Sequence, residues 1–305
     1  MDFKEIADNF FSQSCELISF NSREEWLEMR MKGIGGSDVS SIMGHNRWRT
    51  RKDVYRSKYV LDPQITNDAI EFGNDFEPII FQSFKNKYKD TYETLDYKDI
   101  MFRNLFVPYF QASLDGVLVE KATNKVGILE IKTTQFKKSK WYYSDGSNGV
   151  PQEYIDQAIH YFNTTNADFV VFYPLINYDN ADFDRDMEFL KPRRINRENV
   201  QDYCNEVMAE CIDFWENYVR KGIEPKNRVV FWMNKDLAIK IFEQWVCDYG
   251  CDNCPRKDDP LSNCIGCIDA AKDTLLKYIK DLENQVTDYQ DEIFARDNNW
   301  YDVQD

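Results

Sequence analysis

Two short apolar runs constrain this chain more than anything else in it: ASLDGVLVE at 112–120 and GILEIKTT at 127–134. Each has the length and branching of a strand, and side chains alternate between the two faces of a strand. Glu130 and Lys132 therefore share one face, while Leu129 and Ile131 pack behind. The Asp115-Gly116 turn brings the Asp115 carboxylate beside Glu130. Two carboxylates converging next to a lysine make an oxygen-rich site for Mg²⁺ or Mn²⁺. Such an ion stabilises charge on a scissile phosphate and activates water, which Lys132 holds or helps deprotonate. Glu-x-Lys alone reads far more readily as a solvent-exposed pair on an edge strand. The upstream Asp-Gly and the apolar flanks favour a site.

The surroundings supply a core for these strands. Hydrophobic residues make up 43% and aromatics 15% of the 305 residues, which excludes disordered and collagen-like classes. Helical spacing runs through 23–31, 69–89, 151–165 and 196–222. Strands are expected at IMFRNLFVPYF, at the two runs above and at DFVVFYPLI, the first three forming a meander. The order is that of a mixed α/β fold. Gly33, Gly35 and Gly36 allow a tight turn, after which Ser37 or Asp38 caps a helix. No stretch approaches the ~20 apolar residues of a membrane span. MDFKEIADNFF lacks a signal-peptide profile, so an intracellular, cytoplasmic protein with no membrane partner is expected.

Net charge is -15, but it is unevenly spread. Residues 268–305 carry ten acids and four bases, whereas 45–58 (HNRWRTRKDVYRSK) carry six bases against Asp53 alone. The basic stretch, with Arg47, Arg49, Arg51 and Lys52 beside Trp48, reads either as a phosphate-backbone contact or as a solvated helix face.

The set Asp115-Gly116…Glu130-Ile131-Lys132 resembles the PD-(D/E)xK nuclease motif. Its surroundings are similar to the YqaJ-type viral recombinase family, relatives of the phage lambda exonuclease. Four segments match in order: MRMKGIGGSDVSSIMG with WRTRKDVY, EFGNDFEPIIFQSF, QASLDG with GILEIKTT, and QEYIDQAIHYFNTTNADFVVFYPLI. Together they span roughly residues 23–180, with Leu114 where the family usually has proline.

The resemblance implies a restriction-endonuclease-like core, a central mixed sheet flanked by helices, over residues 1–232. It implies a Mg²⁺-dependent enzyme degrading linear double-stranded DNA from 5′ ends, beside a single-strand annealing protein and as a homo-oligomer. Asp115, Glu130, the Ile131 carbonyl and Glu77 would hold the metal, with Asp75 as the alternative to Glu77. Lys132 would position water, Gln157 would orient water or metal, and Arg30 with Ser37 would bind a DNA 5′-phosphate. Further positive charge would come from Lys137, Lys138, Lys140, Lys191, Arg193 and Arg194.

Residues 233–305 are expected to form a cysteine knuckle and a C-terminal helix. Cys251-x2-Cys254 and Cys264-x2-Cys267 suit tetrahedral Zn²⁺, with Cys247 nearby. A [4Fe–4S] cluster is the alternative, because some nucleases of the superfamily staple one cysteine before the core, here Cys15, to three after it. Free thiols are the third reading. With His45 and His160 the only histidines, Ser-His and Cys-His nucleophilic catalysis is poorly supported. The rival functions are a structure-specific endonuclease and a non-catalytic protein that binds DNA ends or docks a partner.

Overall fold

The computed structural model describes residues 2–46, 49–60, 68–135, 149–177, 187–225 and 301–303. The two runs that dominate the sequence become β5 (Gly116–Glu120) and β6 (Val126–Gln135), antiparallel with Gly116 opposite Leu129. β6 then pairs in parallel with β7 (Phe169–Asn177), its crossover formed by α6 (Gln152–Thr165). β2 (Tyr92–Leu95) flanks β5, and β9 (Arg193–Asn196) flanks β7. β10 (Tyr301–Val303) pairs with β9, and β8 (Met187–Phe189) with the end of β7.

A separate three-stranded sheet joins β1 (Cys15–Ser19), β3 (Ile100–Asn104) and β4 (Gln111–Ala112). This corrects the expected meander. The strand at 100–104 leaves for the smaller sheet, and β2 takes the place beside β5.

The alternation read from β6 divides the core as expected. Val126 and Ile128 face a cluster built with α1 (Phe3–Ser12), α3 (Gly36–Met43), α6 and α7 (Gln201–Phe214). Leu129 and Ile131 face the opposite side, where Ile80, Phe84 and Tyr88 pack from and just beyond α5 (Asp68–Lys87). Each fully buried large apolar side chain here contributes roughly 1.5–3 kcal/mol. The mixed sheet flanked by helices is the α/β core expected from the sequence.

Helix bounds follow the apolar spacing, with local differences. α2 (Arg23–Met31) starts at the Ser22 cap, and α4 (Arg51–Arg56) starts at Thr50, capped reciprocally with Asp53. Pro151 is the N-cap residue of α6. Pro78 lies inside α5. The expected helix at 196–222 is instead the end of β9, a 3₁₀ turn, α7 and a π-helical turn at Trp215–Val219. The 232/233 boundary and the C-terminal helix lie outside the described residues. Among the described residues, no helix is long and apolar enough to cross a membrane.

Candidate active site

Asp115 sits in the turn that enters β5, one residue beyond the last ladder pair. Its Oδ2 accepts from the Ile131 N–H at 2.7 Å, so the carboxylate closes the end of the ladder and lies beside Glu130. Glu130 is 1% exposed on the face that receives α6. The Lys132 ammonium donates to its Oε1, and the Gln157 amide donates to the same oxygen at 2.7 Å. Gln157 Oε1 accepts from Lys132 at 3.1 Å, and its amide nitrogen also donates to the Tyr161 hydroxyl at 2.6 Å. The Lys132 ammonium lies 4.7 Å above the Tyr154 ring. Tyr154, Gln157 and Tyr161 are at helical spacing, so α6 presents all three to one strand end.

The charges are strongly coupled. Burial and the Glu130 carboxylate hold Asp115 well above the usual carboxylate range. Glu77, from α5 on the other side, is pushed up by burial and then by Glu130. Burial alone would lower the Lys132 ammonium, but Glu130, Tyr154 and Asp115 outweigh it and raise it. Lys132 is therefore protonated at neutral pH.

The donor set fits a hard divalent cation. Glu130 Oε2 is buried without a hydrogen-bond partner among the described groups, and the nearby carboxylates repel one another. Both are relieved by a cation with oxygen ligands. Among the described residues, no three Asp, Glu, His or Cys side chains already form a closed ligand cage. Asp115, Glu130 and Glu77 would have to be drawn together by the ion. Asp75, the alternative to Glu77, is exposed and is not among the residues that line the cleft.

One cleft of about 390 Å³ brings together Asp115, Glu130, Ile131, Lys132, Glu77 and Gln157 with Arg30 and Ser37. Ser37 does not cap α3. The N-cap is Gly35, whose N–H donates to Asp38 Oδ2 at 3.0 Å. Ser37 is thereby left exposed one position into the helix, where its hydroxyl accepts from Arg30 at 2.9 Å. Gly36 permits this arrangement: a Cβ there would come within 2.8 Å of the Gln157 side chain and 2.9 Å of the Tyr161 ring. The start of α3 is thus in direct contact with the helix that carries Gln157.

Sequence reasoning missed Tyr161 and Trp26, among other residues of this cleft. Tyr161 follows Gln157 by four and could have been found from that spacing. Trp26 donates to Ser113 Oγ at 3.0 Å and lies beside both the Arg23 and Arg30 guanidiniums. The available signal was that Trp26 is the only aromatic residue of α2.

Arg49, Arg51 and Lys58 of the basic stretch turn inward, whereas Arg56 is exposed. Arg49 pairs with buried Asp38 at 2.6 Å, and Lys58 reaches the same carboxylate at 2.8 Å. Arg51 is 6% exposed, paired with Glu210 and Asp213, and lies against the Phe214 and Tyr218 rings. Lys52 is partly exposed and paired with Glu224. Arg193 and Arg194 are buried, Arg194 pairing with Glu120, while Lys191 is exposed. The stretch therefore fastens α4 to its neighbours, because burial of these bases is offset only by their acids. Arg47, Lys137, Lys138 and Lys140 lie outside the described residues.

The histidines stand apart from the cleft. His160 is fully buried and donates from Nε2 to the Ile34 and Gln111 carbonyls. His45 contacts buried Asp156 at 2.8 Å. Cys15, Cys204 and Cys211 are buried free thiols. Burial pushes Cys15 and Cys204 up to about 11. Cys247, Cys251, Cys254, Cys264 and Cys267 lie outside the described residues.

Residues 25–168 match the family model described as the YqaJ-like viral recombinase domain. The protein YqaJ of Bacillus subtilis (strain 168) is 31% identical over 165 residues, covering 52% of this chain and 48% of that one. The match thus spans about half the length of that relative. Among solved structures, the alkaline exonuclease LHK-Exo from Laribacter hongkongensis, also solved with dAMP, aligns with a TM-score of 0.48 at 20% identity. That alignment covers 66% of this chain and 94% of the other. The resemblance read from the sequence therefore holds: over residues 25–168, which contain every cleft residue named above, the chain is similar to the YqaJ-like viral recombinase domain.

Proposed function

We propose that this chain is a Mg²⁺-dependent deoxyribonuclease, a 5′-to-3′ exonuclease acting on linear double-stranded DNA ends in phage-type recombination and repair. One observation carries the reading: a single cleft holds both the Asp115, Glu130 and Lys132 set and the Arg30 and Ser37 pair. An acidic centre beside a cationic one suits a chain end, with the terminal phosphate at Arg30 and the next phosphodiester at the carboxylates. The similarity to the recombinase domain supports the same assignment.

Asp115, Glu130, the Ile131 carbonyl and Glu77 would hold the cation, Mg²⁺ or Mn²⁺. Bound there, it supplies Lewis-acid charge to the scissile phosphate. Lys132, kept protonated by Glu130, acts as a hydrogen-bond donor that positions the attacking water or the phosphate oxygen, not as a base. Gln157 fixes both Glu130 and Lys132, because its amide nitrogen meets the carboxylate and its oxygen meets the ammonium. Arg30 would fork onto the terminal phosphate, and Ser37 lies where first-turn N–H groups also attract anions.

A single-strand annealing partner, a homo-oligomer and Zn²⁺ or [4Fe–4S] at Cys251, Cys254, Cys264 and Cys267 belong to the same reading. The test is digestion of linear duplex DNA carrying 5′-phosphate or 5′-hydroxyl ends, beside a covalently closed circle and the Lys132→Ala protein. Loss of linear DNA alone, fastest from phosphorylated ends and abolished in the variant, is the expected result. Nicking of the circle identifies an endonuclease instead. End binding without cleavage of any substrate identifies a non-catalytic end-binding protein.

A further inference from the structure

A second buried charge cluster adjoins the cleft at Arg30. Asp38 is 0% exposed, and three cations converge on it: Arg30 at 3.2 Å, Arg49 at 2.6 Å and Lys58 at 2.8 Å. They hold its carboxyl well below the usual range despite its burial. Three cations on one acid leave two positive charges in excess beside the start of α3. An isolated buried charge is costly, so such an excess persists only where the fold holds its members firmly.

The Arg30 guanidinium is held through Nη2 and packed against its neighbours. Asp38 pairs with it, Ser37 accepts from it, and the Trp26 ring centroid lies 5.3 Å away. Gly35 lies beneath it, where an added Cβ would come within 2.5 Å of Nη1. Lys58 fastens the backbone as well, donating to the Arg30 carbonyl at 3.2 Å. Asp38 also accepts the Gly35 N–H and so closes the first turn of α3. One buried carboxylate thus fixes both the guanidinium and the helix start.

We infer that Asp38 is the positioning residue for end recognition. It holds Arg30 and the first turn of α3 as one body, tied from behind by Arg49 and Lys58, and thereby sets the preference for a terminal phosphate monoester. This rests on the assignment of Arg30 and Ser37 to a 5′-phosphate. The charge supports the monoester: it carries close to two negative charges at neutral pH, whereas an internal diester carries one. An excess of about two positive charges matches the end of a chain better than its interior.

Gly35→Ala and Asp38→Asn test this. Gly35 has a φ of -103°, which alanine adopts, and the near neighbours of its added Cβ are all guanidinium atoms of Arg30. Gly35→Ala therefore moves Arg30 while sparing the backbone. The readout is the affinity for a short duplex oligonucleotide with a 5′-phosphate relative to a 5′-hydroxyl, by fluorescence anisotropy without divalent cation, with urea midpoints alongside. Wild type is expected to prefer the phosphate, and each variant to reduce that ratio by about tenfold, the effect of one charge-assisted hydrogen bond. Should Asp38→Asn fail to fold, Gly35→Ala carries the test. A folded Gly35→Ala protein with the wild-type ratio overturns the inference, as does a variant that loses stability alone. Binding is read without cleavage, so failure of the nuclease assignment registers separately in the digestion experiment.

Discussion

Gln157 and Glu130 meet across 27 residues of sequence, amide Nε2 to carboxylate Oε1 at 2.7 Å. The same amide accepts from Lys132 through its oxygen, so its orientation is determined by charge on both sides. A flipped amide would set its NH₂ against an ammonium and its oxygen against a carboxylate. Gln157→Leu is therefore expected to lower the cleavage rate by about 10–100-fold while DNA affinity is retained, as when a partner orienting a metal ligand is lost. It leaves Glu130 short of a donor and costs about 1–3 kcal/mol of stability. Gln157→Glu should fall further, because it sets a second carboxylate against the first. Single-turnover rates and urea midpoints check both variants, and wild-type cutting by Gln157→Leu would remove Gln157 from the mechanism.

Glu77 yields a prediction with two opposite signs. Burial and Glu130 raise its titration, so in the metal-free protein its charge is held against repulsion. Glu77→Gln removes that repulsion and should stabilise the metal-free protein by about 1 kcal/mol. The same change removes an oxygen ligand, and Mg²⁺ affinity should fall about tenfold or more, as for other losses at a metal shell. Thermal melts with and without Mg²⁺ separate the two effects. A variant less stable without metal, with an undiminished Mg²⁺ response, would place Glu77 outside the metal shell.

The strand pair at the centre of the site was legible because period-two alternation is local: Glu130 and Lys132 face α6, and Leu129 and Ile131 face α5, as their spacing requires. The smaller sheet was not legible. Which strand pairs with Ile100–Asn104 is decided by packing with β1, some 80 residues earlier, and no local pattern in 100–110 encodes it. The inward pairing of Arg49, Arg51 and Lys58 was not legible for the same reason. Arg49 and Lys58 find Asp38, and Arg51 finds Glu210 and Asp213, only once the chain has folded back on itself. Asp38 itself looked like a helix cap. Half of that reading holds, since it accepts the Gly35 N–H, but its three cations come from α2, from the loop before α4 and from the turn after α4.

His160 should make the fold acid-sensitive in a defined window. Burial pushes it down from 6.5 to about 4, against the pull of the Gln111 and Ile34 carbonyls that its Nε2–H donates to. The folded state keeps the ring neutral, whereas the unfolded chain takes up a proton below 6.5. Its contribution is therefore fully present above that value and lost as pH falls toward about 4, amounting to about 3 kcal/mol. Asp38 acts in the same direction, but its window lies below 3.8 because its carboxyl is depressed. Asp115 and Glu77 act oppositely, since their raised carboxyls gain protons in the folded state first. His160→Gln isolates the histidine: its amide can still donate to a carbonyl but does not titrate. The variant should be less stable than wild type at pH 7 and lose less stability between pH 6.5 and about 4.5. Urea unfolding across that range checks the difference, and parallel curves for the two proteins would show that His160 carries none of the acid sensitivity.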